Sequence, residues 1–345
     1  VDRPYAYLAS WNSIKDVRLL TALLREGVKV RYAEAPFTIS GRTFPAGTLI
    51  IPRAGNEELG RRFDTYIRSV ANEVKADLDA VATGFVDKGT DFGSDKVRYI
   101  QPLQVAMLVG DGVSSLSAGE IWHFFEQQIG YPVTLINVRN LRQVDWKDLN
   151  VLILPDGNYD FLNDKNQAAK LKDWVSSGGR LIALQGALAQ LAGGEWGNRL
   201  KKEKEKDEDD KDDDQKDIYD VIKPYANRER ESVKAFIPGA IYKVQLDSTH
   251  PLAFGYTDRY YTLKQDDNIY EFLENGGWNV GILKKDSYLS GFVGVNTRAR
   301  LRDGLLFGVK DIGSGKLVML ADDPLFRSFW ESGKLLFSNA VFLVF

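Results

Sequence analysis

Residues 178–194, "GGRLIALQGALAQLAGG", set an apolar strand directly before a helix of small residues. In α/β enzymes such a turn exposes a Ser or Cys nucleophile. Here it reads Leu184-Gln185-Gly186-Ala187, and neither glutamine nor glycine can form an acyl intermediate. The preceding strand ends in "LPDGNYD" (154–160), where Gly157 would let the backbone approach a ligand. Gly157, Asn158, Tyr159 and Gln185 are therefore the candidate lining of a non-catalytic crevice. Gly110, Asp111 and Ser114, from an earlier strand-to-helix loop, should lie beside them. The expected occupant is a small molecule or a peptide. No catalytic residue, metal or cofactor is assigned.

Three other groups invite chemistry. His123 and Glu126 in "HFFE", with His250 far downstream, have the residue types of a zinc peptidase site. Their surroundings favour a polar pair on a helix and a loop histidine. Asp322, Asp323 and Arg327 fall at a strand end, where open sheets bind ligands, but a helix cap and a local ion pair explain them as well. The aromatics of "YTDRYYTL" (256–263) suggest a carbohydrate-binding surface, although their alternation suits a half-buried strand.

These residues need a scaffold. The first hundred positions read as a small α/β unit: strand 5–10, helix 13–27 with Ser13 and Asp16 at its start, strand 28–35, hairpin 37–52, helix 56–74 and strand 78–85. Residues 101–345 repeat a strand–helix rhythm, with apolar strands at 104–110, 132–138, 150–157 and 180–186 and helices at 115–130 and 167–179. That pattern predicts a doubly wound, mainly parallel sheet covered on both faces. Further strands are expected at 240–246, 268–273, 278–283, 305–309 and 316–324, with a closing helix from Asp323-Pro324.

Composition narrows the classes. A hydrophobic fraction of 44% suits a packed core, and no apolar run is long enough to cross a bilayer as a helix. There is no cysteine, so disulfides and thiolate chemistry are excluded. The net charge is −3, while residues 201–217 hold six Lys against ten Asp and Glu, which leaves the remainder near neutral. Such a body has no electrostatic footprint for nucleic acid. The acidic run lies within an expected disordered insertion at 197–220. With Val1 in place of an initiator Met, the chain reads as a piece of a longer protein.

The crevice segments resemble the class I glutamine amidotransferase-like fold, of flavodoxin type. Six blocks, among them "AYLASWNSIKDVRLLTALLREGVKV", "SSLSAGEIWHFFEQQIGYPVT", "HPLAFGY" and "DDPLFRSFWESGKLLFSNAVF", resemble the C-terminal region of bacterial zinc-carboxypeptidase-like proteins. The resemblance implies an accessory module, with the metallopeptidase domain of the same polypeptide as its partner. It also implies a secreted or periplasmic setting. Glutaminase activity is not expected, because Gln185 stands where that fold has its cysteine.

Overall fold

The computed structural model describes residues 3–201 and 224–345. Most of the acidic run thus lies outside the described residues. The N-terminal unit contains strands β1 (Ala6–Ala9), β2 (Val30–Ala33), β3 (Phe37–Ile39), β4 (Arg42–Phe44), β5 (Leu49–Pro52), β6 (Asp79–Val81) and β7 (Val97–Ile100), with helices α1 (Ile14–Arg25) and α2 (Phe63–Val74). Five strands form an antiparallel sheet in the order β6-β1-β5-β2-β7. All four residues of β1 are buried, because both faces of this sheet are covered. Tyr7 and Ala9 join the main core, while Ala6 and Leu8 meet a second cluster that includes Phe37, Phe44 and Phe92. The β3–β4 hairpin therefore closes the outer face. The start of α1 is fixed as the sequence predicts, with Ser13 N–H and Oγ–H both donating to Asp16 (3.0 and 2.8 Å).

The second region supplies β8 (Val105–Val109), α3 (Ser115–His123), β9 (Thr134–Asn137), β10 (Val151–Leu154), α4 (Lys165–Ser176), β11 (Arg180–Leu184), α5 (Gln185–Leu191), α6 (Arg228–Lys234), β12 (Gly239–Leu246), β13 (Arg259–Lys264), β14 (Gly277–Leu283), β15 (Tyr288–Phe292), α7 (Val295–Arg300), β16 (Gly304–Ile312), β17 (Gly315–Leu320) and α8 (Glu331–Phe342). Its ten strands form one sheet. Half of that sheet is parallel, in the order β9-β8-β10-β11-β17, the flavodoxin-like arrangement. The two central strands, β10 and β11, are buried along their whole length, which is why they read as unbroken apolar runs.

The expectation of a mainly parallel sheet needs correction, since the sheet is mixed. After β17 the chain adds antiparallel β16, β14, β12 and β13, with β15 on β12. Strands β7 and β15 are additions to the expected set; both are short, β7 is half-exposed and β15 almost wholly exposed, so they lack an apolar signature. Conversely, 268–273 is not a strand and contributes two isolated bridges, from Tyr270 to Leu200 and to Leu305. The closing helix begins at Glu331 rather than at Asp323-Pro324, after a short 3₁₀ turn at Phe326–Ser328. Among the described residues, no helix is long and apolar enough to cross a membrane.

The two regions share one apolar core. Helix α8 is wedged between them. Its Asn339 accepts from Trp11 Nε1 (2.6 Å) and donates to the carbonyls of Leu252 and Phe254 (3.0 and 2.8 Å). At the other end Tyr32 Oη donates to Leu343 O (3.1 Å).

A buried ion pair joins the antiparallel extension to the parallel half. Lys264, 0% exposed, donates to Asp322 Oδ1, Asp266 Oδ1 and Asn268 O at 2.7–2.8 Å, and Thr262 donates to the other Asp322 oxygen. Removing one partner leaves an uncompensated buried charge. Lys264→Met is therefore expected to cost about 3–5 kcal/mol in urea unfolding, and the double variant Lys264→Met/Asp322→Leu less than that single change. A double variant weaker than Lys264→Met would show that the pair contributes net stability beyond mutual compensation.

Candidate functional site

The topological switch point lies between β8 and β10, at their C-terminal ends, where open α/β sheets bind ligands. The loops that would border a slot there hold each other instead. Val113 and Gly157 form an antiparallel bridge, Asn158 N–H donates to Gly112 O (2.8 Å), and Ser114 N–H donates to Asp156 O (2.8 Å). Gly112 has φ +79°, and a Cβ there would stand 2.1 Å from Asn158 O. The glycines of this region thus admit backbone to backbone, rather than backbone to ligand.

Gln185 sits at the elbow between β11 and α5 with φ +41°. This is the strained backbone expected of such a turn, although its side chain is not a nucleophile. The next N–H, on Gly186, is the position that would stabilise an oxyanion in a working elbow. It donates to Asp156 Oδ1 at 2.9 Å. A Cβ on Gly186 would lie 2.7 Å from that same oxygen, so the close approach requires glycine. Asp156 is held in turn by its own N–H, which donates to Ser117 Oγ (3.1 Å). An internal carboxylate occupies the donor.

The rim adds two further carboxyl groups. Asp323, at the end of β17, is hydrogen-bonded to Glu120 of α3. Its pKa is pushed up to about 8 by burial first and by Glu120 second, with Asp156 adding to the effect. Glu120 Oε1 also accepts the N–H of Arg327 (2.7 Å). Arg327 and Ser328 are both in the left-handed region, at φ +47° and +58°. The local ion pair expected of Asp322, Asp323 and Arg327 does not form: Asp322 turns inward to Lys264, Asp323 pairs with Glu120, and the Arg327 guanidinium lies over Phe326. Reading along one segment could not reveal partners from α3 and β13.

The predicted crevice residues meet unequal fates. Gly110, Asp111, Ser114, Gly157, Asn158 and Gln185 all stand in the loops at this end of the sheet. Tyr159 requires correction: it is 0% exposed, its hydroxyl donates to Pro155 O (2.8 Å), and it is core. Asp111 is turned outward into an ion pair with Arg139 (2.6 Å). Ser114 caps α3, accepting from Ser117 N–H. Sequence reasoning places Gly186 at the elbow but misses Asp156 and Glu120, which make the decisive contacts; the Asp-Gly at the end of β10 is the available signal for the first. His123, Glu126 and His250 are not assembled, since no metal-holding group of three such side chains exists among the described residues. His123 is beside Gln128 (3.3 Å), whereas His250 accepts from Leu252 N–H and packs near Trp278.

Two outcomes follow from this geometry. Gln185→Gly relieves the left-handed strain while increasing the freedom of the unfolded chain, so stability should stay level or rise by about 1 kcal/mol in denaturant titration. A loss beyond that would show that the side chain holds the elbow. For Asp323, the unfolded group ionises near 4, so between about pH 4 and 8 the folded chain retains an extra proton. Its contribution is therefore greatest at low pH and declines as pH rises through that window. Asp323→Asn should gain stability relative to the parent from pH 4 to pH 8 in thermal melts, and a pH-independent difference would contradict this.

No protein-family model matches the sequence, and no curated protein matches it. Solved structures similar to it include a protein described as ThuA-like from Bacteroides uniformis, at 10% identity and TM-score 0.44, covering 70% of this chain and 90% of that one. Another is a glutamine amidotransferase from Thermotoga maritima, at 9% identity and TM-score 0.41, covering 70% and 97%. A third, described as belonging to a GMP synthase, comes from Thermoplasma acidophilum, at 9% identity and TM-score 0.42, covering 69% and 92%.

Proposed function

We propose that this chain is a non-catalytic accessory module of a secreted or periplasmic zinc-carboxypeptidase-like protein, and that it works beside the metallopeptidase domain of the same polypeptide. The observation behind the non-catalytic reading is the Gly186 N–H held by Asp156 at 2.9 Å. Acyl transfer needs a nucleophile and a free donor for the developing oxyanion. Here Gln185 replaces the first and a carboxylate occupies the second. Asp156 and Glu120 would also oppose negative charge at that place. The resemblance of the six sequence blocks supports the accessory role. Apolar area for an intramolecular contact is available at the rim, where Leu116, Trp122 and Phe329 are exposed and α3 packs against the 326–328 turn.

The test is ammonia release from L-glutamine by the chain and by its Gln185→Cys variant. Neither should exceed the buffer rate, since the added thiol meets a donor that is still capped. Saturable release by the unaltered chain would overturn the proposal.

A further inference from the structure

The opposite end of the parallel strands offers a different feature. A cavity of about 470 Å³ opens between the N-terminal unit and the antiparallel extension, within the range of about 300–1,000 Å³ usual for small-molecule sites. It lies at the start of β17 and the end of β16, away from the capped elbow. The site is independent of the function proposed above.

Its lining is electrically balanced. Glu34, Asp247 and Asp311 face Lys96, Arg98 and Lys316. Arg98 pairs with Glu34 (2.8 Å) and Lys316 with Asp311 (2.6 Å), so no excess charge is left to select an ion. A hydrocarbon ligand would strip water from these groups and return nothing. Donors and acceptors both line the wall. Asp247 accepts from Thr249 (2.6 Å), and Lys96 has no ion pair among the described residues.

Two rings complete the lining. His250 Nδ1 accepts the Leu252 N–H (3.1 Å), which leaves the proton on Nε2, and no described residue accepts from it. Burial pushes the pKa of this ring down to about 4, so it is a neutral donor at pH 7. The Trp278 ring centroid is 6.1 Å from that of His250, and Trp278 is 56% exposed. An exposed tryptophan face carries negative quadrupole density, which attracts weakly positive C–H edges.

We propose that this cavity binds a neutral polyhydroxylated ligand of mono- or disaccharide size, with Trp278 as its stacking platform and His250 Nε2 as a hydrogen-bond donor. Hydroxyl groups both give and receive hydrogen bonds, so they can replace the water that the mixed lining now requires. The C–H face of a pyranose ring suits the indole.

Saturation-transfer NMR with glucose, galactose, mannose, maltose, cellobiose and lactose tests the assignment on the full chain. At least one sugar should receive transfer at its ring C–H protons, and Trp278→Ala should weaken its binding about tenfold. Lys96→Met, which breaks no ion pair, should weaken it about threefold; circular dichroism checks that both variants fold. Transfer to none of the six sugars, or transfer undiminished in Trp278→Ala, would overturn the proposal. So would displacement of a bound sugar by benzoate or inorganic phosphate at equal concentration, since that would place an ion in a balanced site.

Discussion

The ammonium of Lys264 lies in a closed site, and every oxygen around it must be in place for the charge to be tolerated there. One acceptor comes from Asp322 at the end of the last parallel strand, and the others come from Asp266 and Asn268 just after β13. This contact fixes how far the antiparallel extension slides along the parallel half. It also fixes the neighbouring residue, Asp323, whose carboxyl meets Glu120 of α3. The position of the rim is thereby tied to a contact in the interior.

The scaffold around the elbow has the geometry of a reactive turn with its polarity reversed. A working oxyanion site presents unsatisfied N–H groups to an incoming negative charge. In this chain the corresponding N–H is satisfied, and the loops after β8 and β10 are joined across the slot. The backbone strain at Gln185 remains. A cavity of about 470 Å³ is found instead at the opposite ends of the strands, where the two regions meet.

Much of this architecture can be read from local pattern. The strands β8, β10 and β11, the helices α1 and α4, and the elbow itself follow from apolar runs, caps and glycine stops. What could not be read depends on partners distant in sequence. Lys264 looks like an ordinary strand-end cation until Asp322 is placed beside it. Tyr159 looks like a loop aromatic until Pro155 O accepts its hydroxyl. The antiparallel extension is legible only in part: β12 and β13 alternate as strands should, but the direction in which they pair depends on distant partners, and β15 is almost wholly solvent-facing. His250 could be singled out by type, yet the cavity it lines is assembled from several separate stretches of chain.

Helix α8 is buried on nearly every side, although it is formed by residues 331–342. Trp11 and Tyr32, made some three hundred residues earlier, complete their hydrogen bonds only with Asn339 and Leu343. During synthesis residues 124–129 reach α1 first, but the part of the N-terminal unit's apolar face that α8 covers waits for some three hundred further residues. Contacts of such sequence separation form slowly, and surfaces left waiting for them are prone to association. The order of residues along the chain thus gives this protein a long vulnerable interval before it closes, one that a chaperone holding the early segment would shorten in effect.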